Sequence, residues 1–494
     1  RKQTIISSIL IYIGFGIGFI NIYLYTKNGY FTLGQYALTQ IFFDFAQIMF
    51  AFGAMGVVPV IYKFYPYYKD NLPKKQIDLL TWAMVIAVSG VILIWIAGWI
   101  MEPFFIRKFI KNSPLILDYY YWLFPFTAGM LFWSVLESYS WAVQKSIMSN
   151  FLKETGMRII TVLLLVLFCL RIITFTQFIY FFSVQYLAIF LLLLLYLYKT
   201  GNLHFSFKIS RVTRKYWKKM LNMQALVWSG TIIATIAAAI DSLFIASLIG
   251  LTATGVFTFG RYAANLIQVP MRSIIAISAS VISQAWKEKN YREINRIYYR
   301  SSINLLLISL FIFGNIWLNV NDGIKLLNIQ EKYLDAMRVL FMLCVVRVVD
   351  AGTGLNSLVI STSTYWRFDF ISSVCLLALR LPVTYYLIKR FGIIGSAYAE
   401  LMSVTFINLV RYEFLRRKFG MQPFRIQTLY AVLLAFAAYF TCHFAFGNMH
   451  NWTGIFLRVT VFTAIMGGGI LYGKLTPDAG QMIEVFMRWA RRKD

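Results

Sequence analysis

The chain has 494 residues, of which 59% are hydrophobic, 18% aromatic and only 14% charged, with a mean hydropathy of +0.66. That balance belongs to a polytopic membrane protein and excludes a soluble globular enzyme. The 47 Lys and Arg against 20 Asp and Glu, a formal +27, would suggest nucleic acid in a soluble protein; here the excess falls in short loops between apolar stretches, where it sets topology.

In chain order, about fourteen stretches come near the roughly 20 residues that a bilayer-crossing helix needs. They are Ile5–Tyr25, Thr39–Lys63, Leu79–Ile100, Tyr119–Val143, Leu152–Leu170, Phe178–Tyr198 and Met220–Ile249 in the first half. Val256–Ser283, Tyr298–Val320, Tyr333–Thr362, Phe370–Ile388, Ile393–Val410, Thr428–Phe446 and Trp452–Leu471 follow. Ile5–Tyr25 lacks a small-residue cleavage site after its apolar run, so it is expected to be a retained span and not a signal peptide. The opening on Arg1 instead of Met leads us to expect a short leader upstream.

Positive charge recurs on alternate loops: Lys63 to Lys75, then Lys145, Lys153 and Arg158, then the run from Lys208 to Lys219. Lys287 to Arg300, Arg416 to Arg425 and the tail Arg488 to Lys493 continue the pattern. The opposite loops are poorer, Arg107, Lys108, Lys111, Lys389 and Arg390 being the exceptions. The positive-inside rule then predicts cytoplasmic termini. No connecting loop is much longer than about 20 residues, which leaves no soluble domain for separate chemistry. The basic connector 199–219 divides the first twelve spans into two sets of six, giving expected boundaries of 1–198, 220–418 and a C-terminal 419–494.

The eighth span is the most informative. Its Arg261, Asn265, Gln268 and Arg272 are spaced by four, three and four residues and so share one helical face, with Pro270 where the helix is expected to bend. A charge at the bilayer centre costs at least about 2.5–3.5 kcal/mol, so this stripe must line a cavity or meet partners. The two sets of six look like repeats: Gly34, Gln40, Asp44 and Gln47 of the second span coincide without gaps with Gly255, Arg261, Asn265 and Gln268. Transporters built from repeated halves bind their cargo near the midplane and rock one half against the other.

The segments TIISSILIYIGFGIGFINIYL, GVVPVIYKFYPYYKD, DSLFIASLIGLTATGVFTFGRYAANLIQVP and RFGIIGSAYAELMS give the chain its family likeness. It resembles the polysaccharide-export branch of the multidrug/oligosaccharidyl-lipid/polysaccharide (MOP) superfamily, specifically the O-antigen (Wzx-type) flippases. The resemblance implies an all-α protein of about fourteen transmembrane helices, two six-helix lobes in a V-shaped MATE-like arrangement, and two further C-terminal helices. It also implies a polyprenyl-pyrophosphate-linked sugar as cargo, coupling to an H+ or Na+ gradient, a bacterial inner-membrane location, and polymerase and glycosyltransferases of the same pathway as partners. The family's cationic cavity carries over to Arg261 and, less directly, Arg272.

The residues point to the same kind of cargo. A pyrophosphate crossing hydrocarbon is best answered by arginine, always charged and able to bind phosphate oxygens in pairs. Arg261 leads, followed by Arg272, with Arg338 and Arg347 of the tenth span and the amides Gln40, Gln47, Asn265 and Gln268 as further substrate contacts. Asp350 lies three residues beyond Arg347 and shares its face, so the two are either functional or a structural ion pair. Arg380, before Pro382, has a weaker claim and could simply anchor a kinked helix. Asp44, Glu137, Asp241, Asp350 and Glu400 are candidates for ion coupling, because burial moves a carboxyl group toward physiological titration. Asp241 could instead partner Arg261 across a short turn. Four cysteines without metal or redox spacing, and His204, His443 and His450 near span ends, leave no expected metal site or disulfide framework. The motifs of the resemblance are shared with lipid II flippases, so a lipid II-type flippase is an alternative, and a drug/cation antiporter of the same superfamily would want an acidic cavity. A membrane glycosyltransferase, polymerase or ligase would want a large outer loop with paired acids.

Overall fold

Residues 14, 16–478 and 480 are described by a computed structural model of the chain, the side chain of Ala276 apart. About half of the expected first span, residues 5–13 and 15, and the whole basic tail lie outside them. In hydrocarbon a backbone N–H or C=O can be satisfied only within its own helix or a closed barrel, and the described residues contain no β-strand. The principal helices are α1 (Leu33–Gly53), α2 (Val57–Asn71), α3 (Leu79–Phe109), α4 (Leu123–Ala142), α5 (Met157–Cys169) and α6 (Phe175–Lys199). They continue as α7 (Arg211–Leu248), α8 (Leu251–Asn265), α9 (Val269–Lys287), α10 (Tyr291–Leu326) and α11 (Met337–Gly352). Then come the short α12 (Asn356–Ser361), α13 (Trp366–Phe391), α14 (Ile393–Phe419), α15 (Ile426–Phe446) and α16 (Trp452–Tyr472). Polar residues set several starts: Thr32 with Gln35 and Thr174 with Gln177 form reciprocal capping boxes, and Ser210, Asn290 and Asn451 accept from the first turns of α7, α10 and α16.

Among the described residues eight helices are long and apolar enough to cross a membrane, and up to ten spans result if each of two bent pairs is one span. The all-helical, multi-pass architecture expected from the sequence is therefore what the chain adopts. The chain forms two compact units, Arg1–Gly255 and Val256–Asp494.

Both bent pairs fall on the spans that the repeat aligns. In the first unit α1 and α2 meet at 49°, where Met55 and Gly56 have φ of 45° and 70°. Breaking a helix there orphans carbonyls at the end of α1; the Trp228 indole donates to those of Ala51 at 3.0 Å and Phe52 at 3.1 Å. In the eighth span Leu251–Ile275 and Ile277–Lys287 meet at 43°. When Gln40 is laid on Arg261, the break at Ala54–Gly56 falls opposite 275–277. Pro270 does not make this larger bend. It sits in the first turn of α9, just after a tighter 3₁₀ turn, Leu266–Gln268, where its missing N–H is tolerated.

Trp133, Leu136, Tyr68, Leu80 and Ile189 fill the core of the first unit, where α2, α3, α4 and α6 pack. The second unit has two cores. Leu307, Ala438, Phe462 and Met466 bind α10 to α15 and α16, while Ile282, Tyr298, Val359 and Leu415 join α9, α10, α12 and α14.

Candidate functional site

Four helices of the second unit converge on a buried polar chain. Arg347 of α11 turns its Nη1 to Glu400 Oε1 of α14 at 2.8 Å, with only 10% and 8% of the two side chains exposed. Its Nε donates to Asn265 Oδ1 at 3.2 Å. The charges of Arg380 (α13) and Arg261 (α8) also act on Glu400. The charges of three guanidinium groups thus act on one buried carboxylate, which is paired directly with Arg347.

One turn further along α11 the chemistry changes. Asp350 Oδ2 accepts from Gln268 Nε2 at 3.4 Å and its Oδ1 from Asn408 Nδ2 at 3.1 Å, so its shell is built from neutral amides. Asn408 Oδ1 accepts in turn from Asn356 Nδ2 at 2.8 Å. The helix is broken between α11 and α12, with Gly354 at φ 69°, and α12 resumes beneath the break. Ser357 there donates to Asp369 Oδ2 at 3.1 Å, and Asp369 Oδ1 lies 2.8 Å from Arg411 Nε. The chain runs from a cationic group through an amide-held carboxylate to a second ion pair.

The spacing of Arg347 and Asp350 suggested a pair on one helix face. They are not paired: each turns to a different neighbour, Arg347 to α14 and Asp350 to α9's preceding turn and the middle of α14. Asn265 and Gln268, neighbours on the predicted stripe, serve these two groups separately. Arg272 and Arg338 are exposed and form none of these bonds. The remaining candidates belong to the first unit. Asp44, half-buried, accepts from the Ser242 hydroxyl of α7, next to the buried Asp241. Gln40 is half-buried and Gln47 exposed. Glu137 is buried on α4 and receives Lys153 Nζ at 3.0 Å from a π-helical turn, Phe151–Gly156.

Sequence reading missed Asn356, Asn408 and the Asp369–Arg411 pair, and gave Arg380 no partner. It also missed a second buried cluster: Asp322 at the end of α10 binds Arg458 of α16 and, at 2.9 Å, His450 Nδ1. The signal available was an arginine inside the last apolar stretch, which requires a buried acid somewhere. Among the described residues no group of His, Cys, Asp or Glu could hold a metal ion.

Solved structures share this fold. A lipid II flippase, MurJ, in an inward closed conformation matches over 95% of this chain and 99% of its own, with a TM-score of 0.70 at 15% identity. An inward-facing multidrug resistance MATE family transporter of the MOP superfamily matches over 83% and 94%, with a TM-score of 0.63 at 14% identity. A MOP superfamily transporter from Pyrococcus furiosus, described as having a binding pocket of reversed polarity, matches over 85% and 96% with a TM-score of 0.58 at 14% identity. No protein-family model and no curated protein matches the sequence. At these identities the likeness is one of fold, a fold carried by membrane transporters and a flippase.

Proposed function

We propose that the protein is a flippase that moves a polyprenyl-pyrophosphate-linked oligosaccharide, an O-antigen or capsule repeat unit, from the cytoplasmic to the outer leaflet of a bacterial inner membrane by alternating access. The observation that carries this reading is the group of three arginines whose charges act on Glu400, on a fold shared with a lipid II flippase. A diphosphate is a group whose oxygens guanidinium side chains bind in pairs. Arg261 leads the contacts, followed by Arg380 and Arg347; Arg272, Arg338, Gln40 and Gln47 are secondary contacts along the route. Coupling to an H+ or Na+ gradient falls to Asp350. Glu400 and Glu137 are each paired with a cation, whereas Asp350 is held by the amides of Gln268 and Asn408. Asp44 and Asp241 are the alternatives in the first unit.

The MATE likeness favours a second reading, a drug/cation antiporter, which the cationic cluster opposes. The separating experiment is depletion in the source cell, with mass spectrometry of lipid-linked sugars in spheroplasts. Complete repeat units accumulating on the cytoplasmic side, restored by the parent gene and not by Arg261→Ala, support the flippase. Accumulation on the outer side would indicate a polymerase or ligase, and no lipid-linked intermediate would favour the antiporter.

A further inference from the structure

The longest helix is too long for its task. α7 has 38 residues, about 57 Å at 1.5 Å per residue, against a hydrocarbon core of about 30 Å. Its apolar part runs back from Leu248 to about Leu226, so the first three turns extend beyond the bilayer core. One face of that extension carries Arg211, Arg214, Lys215 and Lys218 at helical spacing, with Lys219 beside them, all exposed. The adjoining face, which Lys219 borders, is the anchored one: Val212 is buried and Tyr216 packs on Tyr67 at 5.0 Å between ring centroids. The segment 199–240 contains no Asp or Glu.

The connector leading into this helix is fixed in place. Ser206 N donates to Thr81 Oγ1 at 2.9 Å and Ser210 N to Asp78 Oδ2 at 2.9 Å, and the Tyr139 hydroxyl holds the Asn202 carbonyl at 3.1 Å. Alternate side chains therefore face outward: Phe205, Phe207 and Ile209 are 48%, 77% and 51% exposed, outside any apolar span. Trp217, 48% exposed, lies beside the cations. A tethered backbone that displays three large apolar side chains next to five cations is costly in water. It is favourable where apolar groups enter the acyl boundary and cations meet phosphate.

We propose that the connector and the first three turns of α7 form a fixed docking surface for the headgroups of anionic phospholipids, in the leaflet on the side of the positive loops. The proposal is independent of the cargo reading. Loop charge that only sets topology during insertion needs no tethered apolar ridge; a lipid surface needs both.

The test uses the full-length protein in detergent, with native mass spectrometry against phosphatidylglycerol and phosphatidylethanolamine of matched chains. Phosphatidylglycerol should bind preferentially. Lys215→Gln/Lys218→Gln/Lys219→Gln should weaken that binding by about a hundredfold, about fivefold per cation removed. Arg416→Gln/Arg417→Gln/Lys418→Gln, the same charge lost at the end of α14, should leave it in place. Phe207→Ser, which keeps every charge and removes no internal packing, should weaken it about tenfold. Equal binding of the two lipids, an equal loss in the α14 variant, or an unchanged Phe207→Ser would overturn the proposal. So would a marked preference for a polyprenyl diphosphate over phosphatidylglycerol, which would make the surface an entry point for cargo.

Discussion

Glu400→Gln removes the carboxylate that pairs with Arg347 and on which the charges of Arg380 and Arg261 also act. Glutamine keeps the shape and can still accept from Arg347, so the change is one of charge. Breaking a buried ion pair from one side strands the other charge, at about 3–5 kcal/mol. The loss should lie at the upper end here, because Glu400 interacts with three guanidinium groups. Arg347→Gln is the informative comparison. It leaves Glu400 with two remaining cations, so its loss should be smaller, about 1–3 kcal/mol. Thermal unfolding of the purified protein in detergent measures both, and at about 2–4 °C per kcal/mol Glu400→Gln should melt at least about 6 °C below the parent. Adding Arg347→Gln to Glu400→Gln should recover part of that loss. The reasoning fails if Glu400→Gln melts with the parent, or if the double variant is as unstable as the sum of the singles, since either result would mean that the three guanidinium groups do not depend on Glu400.

Three other outcomes are expected. Asp350→Asn should abolish the dependence of export on the ion gradient, while Glu137→Gln keeps it; unchanged dependence in everted vesicles of the Asp350 variant would move the coupling site to Asp44 or Asp241. Arg458→Ala should lower stability by about 3–5 kcal/mol, because Asp322 is 3% exposed, and Asp322→Asn in the same chain should restore part of it in thermal unfolding. Gly56→Ala should cost more than Gly29→Ala. Both glycines have a positive φ, worth about 1–2 kcal/mol against alanine, but a Cβ on Gly56 would lie 2.4 Å from the Gln224 carbonyl oxygen whereas one on Gly29 meets nothing within 4 Å. Equal melting temperatures would show that the bend relaxes around the added methyl.

Much of this architecture is legible in the sequence because hydrocarbon allows so few backbones. Apolar length and loop charge identify the spans, and spacing by three and four residues places Arg261, Asn265 and Gln268 on one face. What spacing cannot supply is the partner. Arg347 and Asp350 share a helix face, yet a long guanidinium reaches Glu400, 53 residues away in sequence, while the shorter carboxylate stays with the amides nearest it. Asn408 gave no signal at all, since one amide in an apolar run is as compatible with a helix contact as with a site. Break positions were similarly hidden. Pro270 was the obvious mark, but the tight turn comes before it and the larger bend after it, where Ile275, Ala276 and Ile277 carry no helix-breaking residue.

The two bends, matched in position between the repeated spans, separate mechanics from chemistry. Each unit has a bend of similar size, 49° and 43°, at the same distance from its own polar stripe. The stripes themselves have diverged in sign: glutamines and an acid before one bend, an arginine and amides before the other. The charge of one stripe can therefore change without moving the bend, and a chimera that exchanges only residues 40–47 and 261–268 would carry altered electrostatics on unaltered bends.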